Sequence, residues 1–332
     1  MPVLVIQTSF LGDMVLTTPL LARLAESGPV DVVATPAAAG LLANHPALRR
    51  VITYDKRGAD KGAIGFVRVA IQLRRERYEA AYLAQGSMRS GALCLLAGIP
   101  KRVGFTSSAG RAFYTDRIPY LEADHHAKRL LGLVRGSVAA GGEPTPRPRL
   151  YPGDAERAAV DELLRGVTSA TPLFTLAPGS VWATKRWPEY AALAAELGRR
   201  GAVVIIGSAA DRDLAAAICA AAGARAIDAT GKLSLLASAE LIRRSRVLVT
   251  NDSAPQHLAS AMNTPTVAIF GPTVPAFGFG PLAERSAVLG IDGLACRPCD
   301  RHGPMACPLG HWKCMRDVAP RSVTAAIETV TG

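Results

Sequence analysis

The chain is poor in aromatic side chains, which make up 5% of its 332 residues, and it has no apolar run long enough to cross a bilayer. Its longest hydrophobic stretches are broken by Arg, Gly or Pro well before the roughly 20 residues that a membrane-spanning helix needs. The opening MPVLVIQTSF lacks both the basic flank and the small-residue cleavage site of an export signal, and it reads as a buried strand. The first strand-to-helix turn, QTSFLGDMVLTTP, lacks G-x-G-x-x-G; its one glycine, Gly12, argues against a nicotinamide or flavin site. With few aromatics, no recognition-helix pattern and no RNA-binding strand signature, no nucleic-acid partner is expected. A cytoplasmic location with at most peripheral contact to a membrane surface follows from these absences.

What is present points to a globular protein. The length exceeds what one hydrophobic core usually spans, so two domains of roughly 150 residues are expected. Apolar residues make up 49% and charged residues 20%, well away from the composition of disordered chains. The net charge of +11 is uneven: residues 1–150 carry 20 Lys and Arg against 11 Asp and Glu, and residues 151–332 carry 18 against 16. Such a basic half draws in anionic partners, of which an acidic glycolipid fits better than nucleic acid. A general bias toward Arg and Ala would give the same imbalance.

Short β-branched runs alternate with amphipathic stretches throughout. VLVIQ, VDVVA, VITY and EAAYLA punctuate the first half, and PLFTLAP, VVIIG, RAIDA, VLVTN and TVAIF the second, each of these except the last followed by a helical pattern. This alternation predicts an α/β protein with parallel sheets covered by helices. Residues 141–154, GGEPTPRPRLYPGD, pack three Gly and four Pro into 14 positions and read as a linker. The expected architecture is thus two doubly wound, Rossmann-like domains, 1–150 and 151–332, facing across a cleft. Ligands of such sheets sit beyond the carboxyl ends of the strands, so the loops after VLVIQ, TLAP, VVIIG and VLVTN are where chemistry is expected.

Those loops carry the polar residues. Asp13 opens a helix, where a carboxylate either accepts a proton from a sugar hydroxyl or merely complements the helix dipole. In LAPGSVWATKRWP, Ser180, Thr184 and Lys185 precede a helix; the lysine either meets a diphosphate as a point charge or is a solvated surface cation. In VLVTNDSAPQHL, Asn251, Asp252, Ser253 and Ala254 sit where backbone N–H groups and the positive end of a helix bind phosphate, with His257 one turn in. Gly207, Ser208 and Asp211 form a similar turn that points to a ribose or base.

Taken in order, GDM with Asp13, the APGS–A–KRWP block, the GSAAD turn, TGKLSL at 230–235 with Leu233, and VTNDS with His257 resemble the ADP-heptose:lipopolysaccharide heptosyltransferases, particularly the heptosyltransferase II type. The resemblance covers nearly the whole chain. It implies a GT-B fold and an inverting, metal-independent transfer of heptose from ADP-heptose to the lipid A–core glycolipid at the cytoplasmic face of the inner membrane. It implies Asp13 as catalytic base, Lys185 on the donor phosphates, and Asp252, Ser253, Ala254 and His257 lining the ADP site. Where many members have Gly, this chain has Ala254. On the basic half, Ser9, Lys101, Arg102, Arg111, Lys128 and Arg129 are the expected contacts to phosphate and acidic sugar of the acceptor.

Four of the six cysteines fall in CRPCDRHGPMACPLGHWKC: Cys296, Cys299, Cys307 and Cys314. Their spacing suits a structural zinc site, with reduced thiols, disulfides or an iron–sulfur cluster as alternatives. No catalytic cofactor is expected.

Overall fold

The computed structural model describes residues 1–135 and 144–332, so positions 141–143 of the expected linker lie outside the described residues. The chain divides into two compact units, Met1–Tyr151 and Pro152–Gly332.

The first unit contains strands β1 (Val3–Gln7), β2 (Val30–Ala34), β3 (Leu48–Thr53), β4 (Ala80–Leu83), β5 (Lys101–Phe105) and β6 (Asp116–Ile118). Its helices are α1 (Leu11–Ala25), α2 (Pro36–Leu41), α3 (Gly62–Arg75), α4 (Met88–Leu96) and α5 (His126–Arg135). All pairings are parallel and the strand order is β3-β2-β1-β4-β5-β6. Alternation along each strand divides the core between the two faces. Leu4 and Ile6 pack with Val69, Leu73 and Leu93 under α3 and α4. Val5 and Val32 pack with Met14, Leu20 and Leu130 under α1 and α5. Pro19 lies inside α1 and has no N–H for the carbonyl of Val15; the Thr18 hydroxyl donates to that carbonyl instead, at 2.8 Å.

The second unit holds β7 (Leu173–Ala177), β8 (Ala202–Ile205), β9 (Ala226–Asp228), β10 (Val247–Asn251), β11 (Thr266–Ile269) and β12 (Ser286–Leu289). Its helices are α6 (Asp154–Leu163), α7 (Tyr190–Arg200), α8 (Arg212–Ala222), α9 (Leu235–Arg244), α10 (Ala254–Met262), α11 (Lys313–Arg316) and α12 (Pro320–Thr331). The sheet, again parallel, runs β12-β11-β10-β7-β8-β9. Read from β9, this is the strand order of the first unit. One core gathers Phe174, Leu176, Val203, Ile205, Val249 and Ile269 with Leu193 and Leu197 of α7 and Val323 and Ile327 of α12. No helix among the described residues is long and apolar enough to cross a membrane.

In a doubly wound sheet, ligands lie at the point where the strand order reverses, beyond the strand ends. That point falls between β1 and β4 in the first unit and between β7 and β10 in the second.

Candidate active site

In the first unit the turn after β1 presents Thr8, Ser9 and Phe10, then Asp13 in the first turn of α1. The Ser9 hydroxyl lies 2.5 Å from Asp13 Oδ2 and 2.6 Å from Gln7 Oε1. Its single proton favours the carboxylate, because a charge-assisted bond is the stronger. Asp13 is half-buried, with its backbone carbonyl accepting from the Thr17 hydroxyl at 2.7 Å. Two neighbours escaped the sequence reading. Lys56, from the loop after β3, donates to the Thr8 carbonyl at 2.8 Å, and Gln85, from the loop after β4, donates to the Thr8 hydroxyl at 2.6 Å. Burial, with Arg57 and Arg89 nearby, pulls the Lys56 ammonium below its usual pKa. Only their position just past the end of a strand could have marked them.

The expected acceptor residues do not gather around Asp13. Lys101 and Arg102 open β5, in register with Ala80 and Ala81 and, through them, Val3 and Leu4; they sit at the amino end of the sheet, away from the turn after β1. Arg102 spends its guanidinium on the carbonyls of Ile99 (2.6 Å) and Phe113 (2.7 Å). Arg129 is 5% exposed and donates to the carbonyls of Leu121 (2.8 Å) and Glu122 and to the Tyr120 hydroxyl (2.7 Å); it is a clamp inside the unit. Lys128 pairs with Asp124 at 3.1 Å. Of the five cations, only Arg111 stands exposed on the loop beyond the carboxyl end of β5, a loop tied to the turn after β4 by Gly110 N–H to Gly86 O at 3.1 Å.

In the second unit the loop after β7 is fastened at several points. Arg186 donates to the Ser180 carbonyl at 2.8 and 2.9 Å. Asn251, fully buried at the end of β10, receives the Trp187 N–H (3.1 Å) and Tyr190 hydroxyl (3.2 Å) and donates to the Pro178 carbonyl (2.8 Å). These bonds make Asn251 a brace between the end of β10 and the loop after β7. Asp211 is likewise turned inward: its Oδ2 accepts from Ser208 N (2.8 Å) and Oγ (2.7 Å), which closes the turn after β8. A Cβ on Gly179 would lie 2.6 Å from Asp211 Oδ1, so only glycine permits this approach between the loops after β7 and β8. Gly207, at the start of the turn after β8, is exposed. Leu233, half-buried, lies in the loop after β9, which is tied back by Gly231 N–H to Gly207 O at 3.0 Å.

Lys185 and Asp252 meet at 2.6 Å, with side chains 7% and 12% exposed. Asp252 also accepts from the Thr273 hydroxyl (2.7 Å) and the Gln256 amide (2.9 Å), so both of its carboxylate oxygens are engaged. The Lys185 ammonium also approaches the Asp252 carbonyl at 3.3 Å and lies 5.3 Å from the centre of the Trp182 ring. Among the described residues the ammonium has two oxygen partners for its three N–H groups, both on Asp252. Immediately beyond, Ser253 caps α10 without a side-chain bond to the helix, and Pro255 in the first turn has no N–H; the Ala254 amide heads the helix. His257 is buried edge-on to Phe279, 6.4 Å between ring centres.

The cysteines of the expected zinc site occupy one core position, Cys314 in α11, and three loop positions, Cys296, Cys299 and Cys307. Among the described residues no three His, Cys, Asp or Glu side chains are grouped to hold a metal ion. Cys314 is 5% exposed in the hydrophobic core beside Met315, and burial, with the neighbouring cysteines, raises its thiol to about 11. Cys296 lies 3.8 Å from His311 Nε2, while the Cys299 thiol donates to the Cys296 carbonyl at 3.1 Å. The Cys307 sulfur accepts the Trp312 N–H at 3.4 Å. Burial raises the Cys307 thiol, but backbone N–H groups of residues 309, 310, 311 and 312 outweigh it and leave the thiol below its usual value.

What the segment does is brace the lysine loop. The Trp312 indole donates to the Thr184 carbonyl at 2.8 Å, the Thr184 hydroxyl donates to Pro304 O, and His302 stacks on Trp182 at 5.1 Å. Gly303, at φ +84°, packs beside the Lys185 stem and Pro272, whose Cγ a Cβ there would meet at 3.0 Å. Arg297 donates to the carbonyls of Gly271 (2.6 Å) and Phe270 (2.9 Å), fixing the turn that carries Thr273. Nothing in the residue types of Arg297, Trp312 or Thr273 announces this; all three act through the backbone or on Asp252.

Two parallel six-stranded units, each with its polar cluster at the reversal of strand order, define a GT-B glycosyltransferase architecture. Among solved structures, that of Escherichia coli ADP-heptose LPS heptosyltransferase II superposes with a TM-score of 0.82 at 26% identity, covering 100% of this chain and 98% of that one. A family 9 glycosyltransferase from Veillonella parvula gives 0.88 at 23% identity, covering 99% and 97%. The family model described as glycosyltransferase family 9 (heptosyltransferase) matches residues 66–312. Lipopolysaccharide heptosyltransferase 2 of Escherichia coli (strain K12) is 30% identical over 308 residues, 87% of this chain and 88% of that protein. Lipopolysaccharide heptosyltransferase 1 of Pseudomonas aeruginosa is 30% identical over 317 residues, 90% and 86%. The chain belongs to glycosyltransferase family 9, the heptosyltransferases.

Proposed function

We propose that this protein transfers heptose from ADP-heptose to the inner core of lipopolysaccharide, with heptosyl-Kdo2-lipid A as acceptor, at the cytoplasmic face of the inner membrane. Residues 152–332 take the donor and residues 1–151 the acceptor. Asp13, oriented by the Ser9 hydroxyl, removes the proton from the acceptor hydroxyl. That oxygen attacks the anomeric carbon as the bond to the diphosphate breaks on the opposite side, so the configuration inverts and ADP departs. Negative charge grows on the leaving phosphate. In this reading the Lys185 ammonium and the amide at the head of α10 meet it, and side chain and helix supply the positive charge without a divalent cation.

The observation that supports this reading most is the buried Lys185–Asp252 pair at 2.6 Å beside the start of α10. A lysine held there by a carboxylate has a fixed position from which to meet a phosphate. The test is ADP release from ADP-heptose with the heptosyl-Kdo2-lipid A acceptor, with and without chelator, and the anomeric configuration of the product by NMR. Retention of configuration would remove the single-displacement mechanism. Turnover with another nucleotide sugar in place of ADP-heptose would reassign the donor.

A further inference from the structure

Among the described residues thirteen large apolar side chains are exposed, and six of them lie on two helices: Ile64, Val67 and Ile71 on α3, and Met88, Leu95 and Leu96 on α4. The three on α3 follow spacings of three and four, which keeps them on one face, while Gly65, Val69, Ala70 and Leu73 turn to the core. Ile64 is 87% exposed, far beyond what a scattered surface isoleucine needs to be. The helices are joined at their starts. Arg89 of α4 donates to the Gly62 carbonyl at 3.3 Å, and its guanidinium lies over the Phe66 ring at 5.5 Å. Gly62, Ala63, Phe66, Met88 and Ala92 line an apolar groove between them.

The charge on α3 itself is of one sign. α3 contains no acidic residue and ends in Arg74 and Arg75, with Arg57 and Lys61 in the loop that enters it. Arg68 is paired with Asp60 at 2.5 Å, but Arg57, Lys61, Arg74 and Arg75 form no ion pair among the described residues. A second copy packed face to face would set arginine against arginine. An anionic bilayer satisfies both halves of the pattern, since apolar side chains enter the headgroup–acyl boundary and arginines meet lipid phosphates.

We propose that the α3–α4 face is the surface by which the protein docks onto an anionic phospholipid bilayer, with Ile64, Val67 and Ile71 as its apolar anchors. The inference rests on the reading of the acceptor as a membrane-borne glycolipid, and it assigns the membrane contact to residues outside the Asp13 and Lys185 clusters.

The test is co-sedimentation of the full chain with phosphatidylcholine vesicles, with and without phosphatidylglycerol. The wild type binds the anionic vesicles. The triple variant Ile64→Glu, Val67→Glu, Ile71→Glu loses binding about tenfold or more, and Arg74→Glu with Arg75→Glu loses roughly fivefold per arginine at low salt. ADP release with a deacylated, water-soluble acceptor oligosaccharide stays unchanged in both variants, which shows that they fold. Vesicle binding by the triple variant equal to that of the wild type overturns the proposal, as does a wild type indifferent to phosphatidylglycerol. A wild-type dimer that the triple variant dissociates, with vesicle binding intact, gives the face to a second copy and also overturns it. Absent turnover on the soluble acceptor with vesicle results as expected would sink the proposed reaction and leave the docking face standing.

Discussion

The indole N–H of Trp312 donates to the backbone carbonyl of Thr184 at 2.8 Å, across 128 positions of sequence. This bond ties the cysteine segment to the loop that carries Lys185. Trp312→Phe keeps most of the ring and removes the bond, at a cost of about 1 kcal/mol. The expected outcome is a roughly fivefold rise in KM for ADP-heptose with little change in kcat, read from steady-state kinetics.

Lys185→Met should lower kcat/KM about 100-fold, the usual effect of removing one donor to a developing anion. It also leaves the Asp252 carboxylate buried without its cation, which costs about 3 kcal/mol of stability. Adding Asp252→Asn to Lys185→Met should restore most of the Tm and none of the activity. Recovery of activity in the double variant would remove Lys185 from the phosphate role.

Asp13→Asn preserves shape and an acceptor for the Ser9 hydroxyl while abolishing the base. A loss of about 100-fold or more in kcat is expected, with ADP affinity by calorimetry unchanged. Equal losses in affinity would instead mark Asp13 as a structural cap of α1.

Acid should weaken the first unit through two buried histidines. Burial lowers His45 to about 4; burial, then Arg129 and His125, lowers His126 to about 3. Both groups gain protons near pH 6.5 once the chain unfolds. Their contribution is therefore complete above that value and is lost as pH falls toward 4 and then 3, about 1.4 kcal/mol for each unit of depression. His126→Gln should flatten the fall of Tm between pH 6.5 and 4.5.

The thiols should react in a fixed order. Cys307, held below its usual pKa, alkylates first at neutral pH, whereas Cys314 and Cys94, raised by burial to about 11 and about 12, react only on unfolding. Metal analysis should find well under one zinc per chain. A stoichiometric ion whose removal lowers Tm would restore the Cys296, Cys299, Cys307, Cys314 site.

Where the sequence reading succeeded, one physical signal was strong. VLVIQ, VDVVA, VLVTN and TVAIF are apolar because helices cover both faces of a parallel sheet, and each is a strand in the structure. β5, β6 and β12 went unseen because KRVGF, DRI and SAVL are short or mixed in polarity, as befits strands toward a sheet edge. The turns after β1, β7 and β10 were correctly singled out as polar, yet the fate of individual side chains was hidden. Arg102 and Arg129 look like phosphate ligands until their carbonyl partners are known, and Asn251 looks like a donor contact until Trp187, Tyr190 and Pro178 claim it. Spacing alone likewise cannot tell that Cys314 faces the core.

Among the described residues, units 1–151 and 152–332 each gather apolar side chains into cores of their own. Heat has therefore two separate interiors to melt, and scanning calorimetry should resolve two endotherms. Adding ADP should carry one of them to higher temperature by mass action and leave the other where it was. The protein thereby reports, without any turnover, which half of its length receives the nucleotide.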